Sequence, residues 1–187
     1  MTSRFDFCST PIAGLFVVVR KPFADSRGSF ARFFCAETFR EILFKKPIAQ
    51  INHSFTRCCG AVRGLHFQYP PCAEAKLVSC IRGRVFDVAV DVRAGSPTFL
   101  QWHGEEISAA NGKALFIPEG FAHGFQTLED DCELLYLHTE NYEPGSEGAL
   151  NVNDFALNIR WPLKITEISE RDRSHPFINK EFAGVQL

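Results

Sequence analysis

Apolar and polar residues alternate with a period of two through the middle of this chain, and only briefly with the period of a helix. Residues 77–81, 84–92, 99–101, 105–108, 113–117 and 133–138 are short runs rich in β-branched and aromatic side chains. That is the pattern of strands with one or both faces buried. Within 84–92, Val85, Asp87, Ala89 and Asp91 fall on one face and Phe86, Val88, Val90 and Val92 on the other. Gly83, Gly95-Ser96-Pro97, Gly104, Asn111-Gly112 and Pro118-Glu119-Gly120 read as the turns between these runs. Many short strands with regular turns predict an all-β sandwich or barrel rather than a parallel α/β sheet. Helix is scarce. Residues 35–44, with Phe39, Ile42 and Leu43 on one side, predict one surface helix, and 166–173 a short helical turn. Residues 180–187 read as a peripheral tail. No linker, low-complexity tract or repeat divides the chain, so 1–187 reads as one domain.

Composition narrows the class. A 187-residue chain that is 45% hydrophobic fills one core and is short for two. Its 19 Phe, against 3 Tyr and 2 Trp, suit a packed β core. The net charge of −2 leaves no basic excess for nucleic acid. The apolar run 13–19 falls short of the ~20 residues of a membrane span, and no signal peptide is read. The seven cysteines are odd in number and irregular in spacing, without a CxxC pair. This argues against a disulfide framework or a zinc site and fits free thiols in a reducing cytoplasm.

Two segments resemble the paired motifs of the cupin superfamily. Gly112, Pro118, Gly120 and His123 fall at the spacing of the second motif, and Gly60 and His66 at that of the first. The fold implied is a cupin-type jelly-roll barrel, with turns aiming two histidines at its mouth, where barrels commonly bind ligands. The metal-binding version needs His-x-His, a Glu and a further His. Here Gln68 stands at the second position and Glu74 is at the wrong offset, which leaves too few donors for a firm metal site. Spacing alone leaves His66 open between metal ligand, structural residue and base.

Further stretches resemble the dTDP-4-dehydrorhamnose 3,5-epimerase family. They are 23–30 (FADSRGSF), 50–54 (QINHS), 62–71 (VRGLHFQYPP), 74–78 (EAKLV), 96–99 (SPTF), 117–125 (IPEGFAHGF), 159–162 (IRWP) and 168–172 (ISERD), with Tyr136 and Tyr142 between. The resemblance spans about residues 16–176. It implies a cofactor-independent, metal-free homodimer acting on a dTDP-linked 4-keto-6-deoxy sugar in nucleotide-deoxysugar biosynthesis, with a C-terminal segment, 163–187, closing the site. By that resemblance His66 is the base, Asp172 orients its ring, Tyr136 reprotonates the far face and Lys76 stabilises the enolate oxygen. Inversion beside a carbonyl needs such groups, because one face loses a proton and the other gains one. Lys76 stands at strand spacing from His66, an even offset of ten residues, so both can point into one barrel.

The resemblance assigns the remaining positions to substrate. Arg63, Arg27 and Arg171 are candidates for the diphosphate, which guanidinium forks suit. Arg27, on the run ending in Phe30, is placed in a site completed by a neighbouring subunit. Gln50, Asn52 and Glu147 match positions contacting nucleotide or sugar, Tyr142 an aromatic stacking on the base, and His123 a pocket residue near the sugar. Three departures from the family pattern stand out: Arg32 where Glu is common, Arg171 where Lys is common, and Asp154-Phe155 where Asp-Pro is usual. Arg32 reverses a charge and bears on sugar and base identity. A single-centre epimerase, a metal-dependent cupin and a non-catalytic sugar-nucleotide binder remain as alternatives.

Overall fold

The structure is a computed structural model and describes residues 3–42 and 46–187. Two antiparallel sheets face each other. The first has six strands in the order β1 (Phe5–Ser9), β2 (Phe16–Arg20), β10 (Lys113–Ile117), β7 (Lys76–Arg82), β12 (Cys132–His138) and β5 (Gln50–Thr56). The second has five, in the order β13 (Glu147–Ala149), β6 (Val62–Gln68), β11 (Phe121–Thr127), β8 (Arg84–Asp91) and β9 (Trp102–Ser108). β3 (Phe23–Asp25) and β4 (Gly28–Phe30) form a separate exposed hairpin. Helix is limited to α1 (Ala36–Phe39), α2 (Glu170–Arg173) and two single 3-10 turns among the described residues. The all-β sandwich expectation holds.

The alternation in β8 explains the layering. Val85 and Ala89 point between the sheets and join Val78, Cys80, Leu115, Phe125 and Leu134 in the inner core. Val88 and Val90 point the other way and are equally buried, because the C-terminal chain, with Leu150, Val152, Leu157 and Trp161, covers that face. The outer face of the six-stranded sheet buries Leu77, Phe116 and Leu137 beneath Phe39 of α1. Each such fully buried aliphatic or aromatic side chain contributes roughly 1.5–3 kcal/mol.

Several expectations are corrected. Residues 99–101 form a turn, with Leu100 at φ 64, rather than a strand. Gly104 lies inside β9, not in a turn. A Cβ there would meet Phe86 Cζ at 2.1 Å, so glycine serves ring packing across the pair. The helix predicted over 35–44 is shorter: α1 and a 3-10 turn, Arg40–Ile42. Leu43 and Phe44 lie outside the described residues. The tail is not peripheral. Val185 is 1% exposed, its N–H donates to Val92 O, its carbonyl accepts from Ala94 N, and Phe182 stacks on Phe99.

Candidate active site

A cavity of about 830 Å³ opens between the two sheets, within the range of small-ligand sites. A smaller one of about 180 Å³ adjoins it and shares Asn52, His66, Lys76 and His138 with it.

The six-stranded sheet supplies one wall. Direct strand pairing sets Tyr136 opposite Asn52 and Val78, and His138 opposite Gln50 and Lys76. Side chains opposite one another share a face, and the period of two adds Ser54 and Thr56 to this inward row. Tyr136 OH lies 2.9 Å from Ser54 Oγ. Burial pushes the Tyr136 phenol pKa up, so it stays protonated and fit to act as an acid. Lys76 is buried, with Nζ 3.0 Å from Glu74 Oε1 and 3.4 Å from the carbonyl oxygen of His66. Glu74 also accepts from His138 Nδ1 at 2.7 Å. Burial alone would raise the Glu74 pKa, but the His138 hydrogen bond and the Lys76 charge outweigh it and hold the carboxyl below its ordinary value.

The five-stranded sheet supplies the facing wall. His66 on β6 pairs with His123 on β11, and Arg63 pairs with Phe125. Three steps along β6 thus match two along β11, a bulge of one residue at Gly64 and Leu65. Arg63 and His66, three apart, would lie on opposite faces of a regular strand; the bulge lets both line the cavity. Gly64 has φ +126, and a Cβ on it would lie 2.5 Å from Gly124 Cα, so only glycine fits. The even offset between His66 and Lys76 does not explain their meeting. They sit on different sheets, and the chain between 68 and 76 crosses from one wall to the other.

Asp172 reaches His66 from the C-terminal segment. That segment is laid along β6 by Val62 N–H donating to Glu167 O and Thr166 N–H to Gly60 O. Ser169 then caps α2, its Oγ accepting from Asp172 N at 3.0 Å. Asp172 Oδ1 lies 2.9 Å from His66 Nε2, and Oδ2 accepts from Gly64 N at 3.1 Å. Burial would raise the Asp172 pKa, but the bonds from His66 and Gly64 prevail and keep it ionised. With Nε2–H donated to this carboxylate, Nδ1 of His66 carries the lone pair.

The other expected residues divide into groups. Arg63 spans the cavity edge, donating from Nε to Thr56 Oγ1 (3.0 Å) and from Nη2 to Phe55 O. Tyr142, Glu147 and Gln50 line the smaller cavity. Tyr142 N donates to Gln50 Oε1, and Glu147 is paired with Arg171 and accepts from Tyr142 OH. Arg27 and Phe30 are exposed on the β3–β4 hairpin, with Arg27 paired to Asp25, and neither lines the cavity. Arg32 and Phe155 are also exposed and absent from its walls. Sequence reasoning missed Ser54, Glu74, Asp87 and His138. His138 could have been found two residues beyond Tyr136 on the same strand face. Asp87 could have been found as an acid on an otherwise apolar row.

The cupin metal centre does not fit these residues. His123 Nε2 is held by buried Asp87 at 2.7 Å. Gln68 is fully engaged, its amide donating to the Cys72 and Asn141 carbonyls and its Oε1 accepting from Glu143 N.

A histidine backed by a carboxylate on one wall, with a protonated phenol and a buried ammonium on the other, suits proton transfer at both faces of a carbon acid. The dTDP-4-dehydrorhamnose 3,5-epimerase family profile matches residues 9–180. The dTDP-4-dehydrorhamnose 3,5-epimerase of Salmonella typhimurium is 44% identical over 173 residues, covering 91% of this chain and 94% of that protein. The dTDP-6-deoxy-D-glucose-3,5-epimerase of Legionella pneumophila, solved with dTDP-4-keto-L-rhamnose, superposes with a TM-score of 0.90 at 36% identity over 98% of this chain and 99% of that one. A 3'-monoepimerase from Streptomyces bikiniensis, solved with dTDP-quinovose, superposes at 0.83 with 36% identity, covering 90% and 85%. With its fold shared at a TM-score of 0.90 and the profile matched over residues 9–180, this chain belongs to the dTDP-4-dehydrorhamnose 3,5-epimerase family.

Proposed function

We propose that this chain inverts C3 and C5 of dTDP-4-dehydro-6-deoxy-D-glucose, giving dTDP-4-dehydro-L-rhamnose. The observation that carries the proposal is the placement of His66 and Tyr136 on opposite sheets of one cavity. His66 Nδ1 takes the proton from the carbon beside the C4 keto group. The C–H electrons form the enolate C=C as the carbonyl electrons move onto O4, and the Lys76 ammonium stabilises that oxygen. Tyr136 returns a proton from the other face and is then reprotonated from solvent. The imidazolium left on His66 is stabilised by Asp172.

Arg63, Arg171, Asn52, Gln50, Tyr142, Glu147 and His123 hold the nucleotide and sugar, and residues 163–187 close the site over them. No metal takes part. The protein acts in a reducing cytoplasm, which its seven free cysteines suit; no described helix is long and apolar enough to cross a membrane. We further infer a homodimer in which the β3–β4 hairpin delivers Arg27 and Phe30 to the partner. Exposed Phe23 and Phe30 on that hairpin, and Ile51 and Phe55 on edge strand β5, support it.

Incubation with dTDP-4-keto-6-deoxyglucose in heavy water, read by NMR, tests the activity. Deuterium at both C3 and C5 is expected. Label at one carbon alone would instead assign a single-centre epimerase, as for the Streptomyces bikiniensis relative. Light scattering tests the dimer, which should appear at twice the 21.1 kDa of one chain.

A further inference from the structure

Asp172 faces two imidazoles. His66 Nε2 lies 2.9 Å from Oδ1, and His175 Nε2 lies 3.7 Å from the same oxygen. The rings of His66 and His175 meet edge to face, with centroids 5.6 Å apart. The His175 backbone is anchored by Asn151, whose Nδ2 donates to its carbonyl at 2.8 Å. His175 Nε2 is buried yet makes no hydrogen bond. A buried ring nitrogen without a partner is costly, and neither proton transfer nor substrate contact accounts for it here.

We propose that His66, Asp172 and His175 form a site for Zn²⁺ or a similar divalent transition ion, and that binding there reversibly switches the enzyme off. Each residue offers one donor atom, and the three atoms lie within 4.8 Å of one another. Two imidazoles and a carboxylate are standard zinc donors and leave a fourth position to water. With metal–donor bonds of ~2.0–2.1 Å, tetrahedral donors sit about 3.3 Å apart; the 2.9 and 3.7 Å separations bracket that value. This is not the cupin centre, since His123 and Gln68 take no part.

The inhibitory effect rests on the reading of His66 as the base. A metal at Nε2 needs the lone pair there. In neutral His66 the proton shifts from Nε2 to Nδ1, and in the imidazolium the Nε2 proton is released to solvent. Either way Nδ1 keeps a hydrogen and cannot accept one from the sugar. Asp172 meanwhile exchanges its hydrogen bond from His66 for the metal.

The test uses the full chain stripped with a chelator, Co²⁺ as a spectroscopic probe and Zn²⁺ as inhibitor. One equivalent of Co²⁺ should give tetrahedral visible bands without the near-ultraviolet thiolate charge-transfer band. Zn²⁺ should stop deuterium uptake, and EDTA should restore it. His175→Ala should keep metal-free activity, lose the Co²⁺ bands and need about 100-fold more Zn²⁺ for inhibition. His175→Gln, closer in bulk, serves the same purpose if the alanine variant does not fold. Unchanged Co²⁺ bands and Zn²⁺ sensitivity in a folded His175 variant would overturn the site. A thiolate band at one equivalent would likewise overturn it by placing the metal on cysteines. If the epimerase reading alone is wrong, no exchange occurs in any protein, yet the His175-dependent Co²⁺ bands persist.

Discussion

Replacing Asp172 by Asn keeps the shape of the side chain and removes its charge. The carboxylate sits 2.9 Å from His66 Nε2, is buried, and is held ionised. During proton abstraction His66 becomes an imidazolium, with its charge about 4 Å from the carboxylate. At an effective dielectric of ~20 that attraction is worth roughly 4 kcal/mol, or about a thousandfold in rate. A second loss adds to it. The Asn amide can donate to Nε2, which drives the ring proton onto Nδ1 and removes the acceptor; in serine proteases the analogous change costs ~10⁴. Asp172→Asn should therefore lower the rate of deuterium uptake at both carbons by ~10³–10⁴. Binding of dTDP, measured by calorimetry, should change little, because the carboxylate faces His66 and Gly64. An uptake rate within tenfold of the parent would refute the dyad, and so would a loss confined to KM.

Tyr136→Phe should slow turnover by ~10²–10³ while leaving proton removal by His66 measurable as wash-in at the abstracted carbon; full two-centre turnover would remove the phenol from the mechanism. Gly64→Ala should cost at least ~3 kcal/mol, since its Cβ would strike Gly124 Cα at a positive φ; a variant melting within 2–3 °C of the parent, roughly the shift of ~1 kcal/mol at this size, would contradict the close approach. The depressed Glu74 and Asp172 carboxyls give stability that is fully present above their unfolded values of 4.5 and 3.8 and is lost as pH falls through their lower folded values. Melting curves from pH 7 to 3 should show that loss, and Glu74→Gln should make it shallower. Deleting residues 183–187 removes buried Val185 and its two backbone bonds, so calorimetry should show a melting point lower by about 5–10 °C; an unchanged value would restore the tail to the periphery.

Much of this was legible in the residue order, for definite reasons. The two-residue period of 84–92 sorted its residues onto two faces, and the strand 113–117 was found at its true bounds, because alternation is a local property. The short helical turn read over 166–173 is α2, whose Ser169 cap places the Asp172 carboxylate. The misassigned positions share another cause. Gly104 looked like a turn because its partner, the Phe86 ring, is distant in sequence. The tail looked loose because Val185 pairs with a segment more than 90 residues earlier.

By itself, the sequence determined the fold class, the strand periodicity and the chemical types present: a histidine, a phenol, a lysine and a carboxylate in a familiar order. Tertiary structure alone decided how they face one another. The bulge at Gly64 and Leu65 turns Arg63 and His66 into one cavity, against the parity of a regular strand. The separate sheets set His66 across from Tyr136 and Lys76, and the C-terminal segment carries Asp172 and His175 back to β6, more than 100 residues away. Pairing between distant strands is not encoded in any one stretch of chain. It emerges when two apolar faces must be buried against each other, and the polar groups left between them become the site.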